Sequence, residues 1–435
     1  MCWKFLRGTS LRPARCNRAR PCWCFLPAES RTRLATIVGF RQISGTCRVH
    51  PEQPRTDLSM YRICRQCIMD TSDLHIRFDE TGKCDHCENY ERNILPNWHT
   101  DKRGEDQIMP LIEKIRRDGK GRDHDCIIGL SGGLDSSYLA HVVTKKFGLR
   151  PMIFHVDAGW NTQQAVSNVE KLVDGLKLDL YTEVVDWEEM RDLQLAFFRS
   201  QVADQDVPQD LAFFSALYNY SVTNKFSYII TGGNYSTECV REPLEWGGYY
   251  ATDMKWVNAI HRQFGTRSLE KMQTADIFRY KLVDRFVHGV KMVKLLNNVP
   301  YVKQEAEKIL AENYSWESFQ HKHHESRFTR FYESYWLPKK FGFEKRRAHF
   351  SSLILTGQMK RQDALDRISR PELPDDVLRQ EFEYVAKKLD LSTAGLNEIF
   401  GGANKSYRNY PNRHGLITIG TRMLQFIGVE KRRFK

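Results

Sequence analysis

The stretch "CIIGLSGGLDSSYLAHVV", Cys126 to Val143, decides the fold. Apolar residues run to Leu130, then Ser131, Gly132 and Gly133 interrupt them, and Asp135, Ser136 and Ser137 precede an apolar run of helical spacing. A strand-to-helix turn needs only one small residue and one cap, so the surplus of small and hydroxyl residues points to a bound group. Glycines let backbone N–H groups approach an anion, and a helix starting here aims its positive end at it. Ser131, Ser136 and Ser137 can donate to phosphate oxygens. Asp135 would repel a bare phosphate, which implies Mg²⁺ between them. The loop is neither G-x-x-x-x-G-K-[ST] nor G-x-G-x-x-G.

The surroundings read as α/β. "DCIIGL", "RPMIFHVD", "LDLYTEVVD" and "SYIITGG" are predicted strands, with helices over "SSYLAHVVTKKFG", from a cap at Asn161 to about Gly175, "WEEMRDLQLAFFRSQV" and "PQDLAFFSALYNYSVTNKF". Continuous apolar strands alternating with helices indicate a parallel sheet covered on both faces. Ligands bind outside the carboxyl ends of such strands, where "SGGLDSS", "DAGWN" and "GGNYSTE" lie. "DQIMPLIEKIRRDGKGRDHD" reads as an amphipathic helix and polar linker before the sheet. Beyond about residue 265 the pattern is helical and aromatic-rich, with no further clear parallel strand.

Cys64, Cys67, Cys84 and Cys87 form C-x2-C, sixteen residues, C-x2-C, the spacing of a four-thiolate zinc ribbon. Four protein ligands leave no open position, so the zinc is expected to be structural. The ribbon strand is placed in "HIRFDETGKC", turning at Thr81-Gly82, and His75 and His86 are read as surface residues. The expected boundaries are a leader at 1–59, the ribbon at 60–95, the α/β domain carrying the Gly132-Gly133 loop at 96–265 and a mainly helical region at 266–435.

The leader differs from the rest. It holds eleven Lys+Arg against Glu29, Glu52 and Asp57, which is +8 of the total +12 and leaves +4 for the remainder. It carries five of the eleven cysteines and shows no sustained period. Its composition allows a transit peptide, but no signal-peptide pattern is visible; the simpler reading is a disordered segment or a start at Met60. No apolar run reaches membrane-span length, so a cytoplasmic protein is expected. The nearly balanced body gives a weak electrostatic footprint for nucleic acid.

The loop "SGGLDSS" resembles the SGGxDS signature of the N-type ATP pyrophosphatases, or PP-loop family, whose fold is adenine nucleotide α-hydrolase-like. The resemblance implies that Ser131, Gly132, Gly133, Asp135, Ser136 and Ser137 hold ATP phosphates and Mg²⁺, with Asp135 and Ser131 serving catalysis. It places adenine against backbone near His155, Val156 and Asp157, and makes Gly232 and Gly233 the small residues beside the nucleotide. The order ribbon, "SGGLDSS", "HVDAGWN", "TGGNYSTECVREP" and "NKSYRNYPN" is similar to bacterial N-acetyl sugar amidotransferases from about Met60 to Lys435. That resemblance implies adenylation of the acetamido oxygen of an activated sugar for O-antigen or related surface glycans. Ammonia then displaces AMP to leave an acetamidino group. It also implies a separate glutaminase with a cyclase-like ammonia-conducting partner.

On the substrate side, Asn234, Glu238 and Arg241 follow the fourth strand's carboxyl end. "YSWESFQHKHHESRFTRFYESYW" reads as one long helix with solvated or phosphate-facing histidines rather than a metal site. Arg327 and Arg330 are candidates for a substrate diphosphate or carboxylate, and Glu344 to Arg347 reads as a solvated turn. Cys126 is read as packing, whereas Cys239 leaves a thiol role open. No glutaminase triad is apparent. The competing readings are a PP-loop tRNA-thiolation enzyme and a non-catalytic zinc-ribbon module.

Overall fold

The computed structural model describes residues 61–426, so the expectations for the leader and Met60 lie outside the described residues. Five strands, β1 (Cys126–Gly129), β2 (Pro151–Asp157), β3 (Leu180–Val184), β4 (Tyr228–Ile230) and β5 (Lys291–Val293), form one sheet in the order β3-β2-β1-β4-β5. All neighbours are parallel, with Cys126 opposite Pro151, Ile127 opposite Ile229, and Tyr228 opposite Lys291. β1, β2 and β4 are buried almost throughout, as a sheet covered on both faces requires. The edges β3 and β5 are mostly exposed. β5 corrects the expectation of no further parallel strand: it is three residues long with only Val293 buried, too short for a periodic signal.

The helices run α1 (Asp85–Asn89), α2 (Lys102–Asp118), α3 (Leu134–His141), α4 (Gln163–Leu176), α5 (Trp187–Ser200), α6 (Val207–Thr223), α7 (Tyr235–Glu238) and α8 (Met254–Phe264). After β5 come α9 (Lys303–Tyr314), α10 (Arg327–Phe331), α11 (Arg346–Leu355), α12 (Arg361–Ile368), α13 (Asp375–Lys388), α14 (Thr393–Phe400) and α15 (His414–Phe426). One face of the sheet, through Cys126, Ile128, Ile153 and Ile230, packs on α2, α3, α4 and α9. The other, through Ile127, Phe154 and Ile229, packs on α6. α4 is capped by Thr162, whose Oγ1 accepts from Ala165 N at 3.1 Å; Asn161 instead reaches His155 Nε2 at 3.1 Å. None of the described helices is long and apolar enough to cross a membrane.

The predicted long helix across 314–336 is two elements. Ser315 adopts φ 54°, ending α9, and Ser326 opens α10 by accepting from Thr329 N at 3.2 Å. The turn between them is held inward. Trp316, 2% exposed, donates its indole N–H to Gly132 O at 3.3 Å, and Asn168 Oδ1 accepts from Glu317 N at 2.9 Å. After α10 the chain continues helically from Tyr332 to Phe341.

The ribbon cysteines share a core with Cys239, Val240, Trp246 and Ala348, binding the N-terminal module to α7 and α11. Arg361 donates to Cys67 O at 2.9 Å and Cys64 O at 2.8 Å, and Ile68 N donates to Ser351 Oγ at 3.2 Å. Within the ribbon the expected strand is reduced to isolated bridges, Ile63 with Asp70 and Phe78 with Cys84. The Thr81-Gly82 turn is present: Asp79 accepts from Thr81 N and Lys83 N, both at 2.9 Å, and Gly82 takes φ +84°. His75 is exposed, but His86 is buried against Asp73 Oδ2 at 2.8 Å. The supposed solvated turn at Glu344 to Arg347 is also internal: Lys345 meets Glu242 at 3.0 Å, and Arg347 Nε meets Asp70 at 2.9 Å.

Candidate functional site

The order β3-β2-β1-β4-β5 reverses direction between β1 and β4, and crevices of open α/β sheets lie at such a switch. The loops leaving β1 and β4 meet there. An added Cβ on Gly232 would lie 3.0 Å from Asp135 C and Ser136 N, so the loop after β4 touches the start of α3. A cavity of about 230 Å³ opens beside this contact. Its floor is Ser131, Gly133, Asp135, Ser136, Gly232 and Gly233, and its wall includes Glu238, Tyr301, Lys303, Lys322 and His323.

The floor suits an anion. α3 starts after Gly133 with no side-chain cap, so its leading N–H groups lack the partner that a helix N-terminus ordinarily recruits. Ser131 Oγ and Ser136 Oγ lie 3.3 Å apart, and Gly133 N donates to Ser131 Oγ at 3.3 Å. Gly132 takes φ +83°, with its carbonyl accepting from Trp316 and from Asn168 Nδ2 at 3.4 Å. A Cβ there would sit 2.5 Å from Ala165 O, so Gly132 is required by packing on α4, not by phosphate approach. Gly133 has the cavity-side role: its Cβ would meet Glu325 Oε1 at 2.8 Å and Ser131 Oγ at 3.3 Å.

The wall supplies charge that sequence reading missed. Lys322 Nζ is 2.6 Å from Glu238 Oε1 and 3.6 Å from Asp135 Oδ2. Burial opposes its charge, but Glu238 and Asp135 outweigh it and keep the ammonium protonated. For Glu238, burial pushes up, and Lys322 more than reverses the shift. Tyr301 Oη donates to Asp135 Oδ1. Lys303, 3.8 Å from Glu307, is drawn down mainly by burial. His349, 3.3 Å from Thr237 O, is held well below its ordinary range by burial, then by Lys322 and Lys303. His321 is pulled to about 4 by burial and by Arg367 and Arg346. His321 and His349 therefore face a buried, cation-rich interior rather than solvent. Carboxylate oxygens of Asp135 and Glu238, both turned to Lys322 in this cavity, are the donor type Mg²⁺ takes.

The other expected residues stand apart. Ser137 is fully buried on the inner side of α3 and does not line the cavity. Val156 is buried at the end of β2, while Asp157 Oδ1 accepts from Gly159 N at 2.8 Å. His155 meets Leu130 O at 2.7 Å, tying the ends of β1 and β2 together. Asn234 caps α7, accepting from Thr237 N at 2.8 Å, and Arg241 is exposed and lies over the Tyr250 ring. Arg327 and Arg330 both converge on buried Glu381, Arg327 at 2.9 Å. Burial pushes Cys239 up to about 12 and also raises Cys126, which suppresses thiolate chemistry at both.

The four ribbon sulfurs lie within 4.8 Å of one another. Cys64–Cys87 and Cys84–Cys87 are 3.7 Å apart, and Cys67–Cys84 3.6 Å. A tetrahedron with Zn–S bonds of about 2.3 Å has edges of about 3.8 Å, so the four-thiolate set fits zinc.

Residues 325–424 match the family model described as LPS biosynthesis protein WbpG-like, C-terminal domain. Comparison with curated proteins yields no match. Among solved structures, the chain is similar to the U34-tRNA thiolase NcsA from Methanococcus maripaludis with its [4Fe-4S] cluster, at 13% identity and TM-score 0.29, covering 62% of this chain and 82% of that one. It is similar to the NH3-dependent NAD synthetase from Campylobacter jejuni at 14% identity and TM-score 0.26, covering 62% and 99%. The NMN synthetase from Francisella tularensis gives 15% identity and TM-score 0.24, covering 50% and 98%. At such scores the fold is argued from strand order and loop placement instead.

Proposed function

We propose that the chain is an ATP-dependent amidotransferase that adenylates the acetamido oxygen of an activated N-acetyl sugar and exchanges that oxygen for ammonia. The observation that carries this reading is the uncapped start of α3, which bears Asp135, facing Lys322 across one cavity. A polyphosphate fits there: N–H groups and the Ser131 and Ser136 hydroxyls on one side, the Lys322 and Lys303 ammonium groups on the other. Asp135 would hold Mg²⁺ together with Glu238, and bound Mg²⁺ would offset charge on the leaving pyrophosphate.

An amide oxygen is a poor leaving group, and transfer of AMP to it yields an imidate ester that ammonia attacks. The chain's share is to align the amide oxygen with the α-phosphorus and exclude water. No side-chain nucleophile is needed, in keeping with the buried thiols. The match over residues 325–424 to an LPS biosynthesis domain supports a surface-glycan sugar as acceptor. A tRNA uridine has less support, because neither Cys126 nor Cys239 is placed for sulfur transfer. Ammonia would come from a separate glutaminase through a conducting partner, with ammonium replacing both in vitro.

The test incubates purified chain with ATP, ammonium and candidate nucleotide-linked N-acetyl sugars. AMP, pyrophosphate and a sugar carrying NH in place of one oxygen are expected. ADP and phosphate as products, or sulfur transfer to tRNA instead, would overturn the reading.

A further inference from the structure

His323 stands where the cavity meets a buried polar network. It lines the cavity beside Lys322, and its Nδ1 lies 3.1 Å from both carboxylate oxygens of Glu333. The imidazole therefore donates through Nδ1, which leaves Nε2 available to a ligand, and the side chain keeps 38% exposure where it lines the cavity. Lys345 fixes Glu333 from the other side at 3.4 Å while pairing with Glu242 at 3.0 Å. The His323 backbone is left-handed at φ +63°, a strained conformation for a non-glycine residue that persists where surroundings impose it and that concentrates at functional sites.

We propose that His323 and Glu333 form a dyad in which His323 presents its Nε2–H to a phosphate oxygen bound in the cavity, with Glu333 as its positioning residue. The proposal rests on the reading of this cavity as a nucleotide site. In the adenylation step, the amide oxygen bonds to the α-phosphorus as the bond from that phosphorus to its bridging oxygen breaks. The electron pair leaves with pyrophosphate. A hydrogen bond from His323 meets that developing charge, the proton remains on the imidazole, and no further reactant is required.

Electrostatics agrees with the geometry. Burial lowers the basicity of His323, but the charge and hydrogen bond of Glu333 outweigh it and push the imidazole up to about 9. Glu333 falls to about 2, with burial opposed by His323 and Lys345. The other groups around the dyad are Lys322, His324 and Glu325 on its own loop, Asp206 just before α6 and Asp210 within it, Glu238 of α7 and His349 of α11. The lysines oppose the extra proton and the carboxylates favour it.

The experiment measures binding of inorganic pyrophosphate with Mg²⁺ to the full chain by calorimetry between pH 7 and 10, a range chosen to bracket the shifted imidazole. His323→Gln should bind roughly tenfold to a hundredfold more weakly at neutral pH, the loss of one charged hydrogen bond, and its profile records the titration of the probe itself. Relative to that profile, wild-type affinity should fall through about pH 9. Glu333→Gln should keep the fold and move that fall to lower pH. Histidine proton resonances give a second reading on unaltered protein: one imidazole, absent from His323→Gln, should titrate near 9. Wild-type affinity and profile in His323→Gln, or an unmoved midpoint in Glu333→Gln, would overturn the dyad. Binding is read without turnover, so a chain that behaves as expected yet makes no AMP with any acetamido sugar retires the amidotransferase reading and leaves the dyad standing.

Discussion

Alanine at Gly132 and at Gly133 should fail in opposite ways, although the two are adjacent in one loop. At Gly132 the backbone takes φ +83°, and a left-handed conformation costs an L-residue roughly 1–2 kcal/mol. The added Cβ would also lie 2.5 Å from Ala165 O, a backbone atom inside α4 that cannot rotate away. Shifting the loop is resisted because the Gly132 carbonyl is held by Trp316 and Asn168. Forcing backbone apart in a packed interior adds about 1–3 kcal/mol, so Gly132→Ala should lose about 2–5 kcal/mol of stability in denaturant unfolding. Gly133 takes φ −75° and ψ 169°, open to any residue, and its Cβ meets the movable ends of Glu325 and Ser131. Gly133→Ala should therefore unfold within about 1 kcal/mol of wild type while Mg-ATP binding falls tenfold or more, because the methyl group occupies the cavity floor. A Gly132→Ala protein as stable as wild type, with the loss confined to ATP binding, would refute the packing argument.

Further measurements probe the rest of the site. Asp135→Asn removes the charge balancing Lys322, and turnover to AMP and pyrophosphate should collapse while circular dichroism stays native. Lys322→Met should weaken Mg-ATP binding by about tenfold to a hundredfold, as expected on losing one charge-assisted contact; an unchanged dissociation constant would remove Lys322 from the phosphate site. Cys64→Ser should drop metal content from one zinc per chain to a substoichiometric level and lower the thermal midpoint, because ribbon folding and metal binding are coupled. Asp204, 2% exposed, is raised to about 7, mainly by burial. A carboxyl raised in the fold stabilises below its unfolded value near 4 and loses that contribution as pH rises through about 7. Asp204→Asn keeps an acceptor for Tyr249 N, at 3.0 Å in the parent, and should be more stable at pH 8 by about 1–3 kcal/mol, with a flatter profile between pH 4 and 8.

The sheet was legible where a strand's own residues carry its burial. β1, β2 and β4 are apolar because both faces are covered, and each ends in a glycine- or aspartate-bearing loop that marks its carboxyl end. β5 was not legible, since a three-residue edge strand with Lys291 and Met292 exposed has neither an apolar run nor an alternation to detect. The four-cysteine cluster was legible from spacing alone, because a C-x2-C knuckle is a local device. His86 was misread for the converse reason: its partner Asp73 comes from the same ribbon, but only the folded turn brings it within 2.8 Å.

The site divides along the same line. Most of its floor is one contiguous segment, Ser131 to Ser136, completed by Gly232 and Gly233, and a pattern there can be read directly. The wall is assembled from the β4 exit, the start of α9, the loop at 317–325 and α11, and no spacing links those segments. Lys322 became a site residue only because Ser315 stops α9 and because Asn168 and Trp316 fasten the following loop against α4 and Gly132. A sequence reading of 314–336 as one helix left its histidines either solvated or phosphate-facing and gave no reason to single out Lys322. Those same fastenings explain why Arg327 and Arg330 were poor candidates. Once Ser326 restarts the helix, their guanidinium groups swing onto Glu381 and away from the cavity. The loop is therefore a lever: one left-handed serine and one indole hydrogen bond decide which of its cations face the cavity floor.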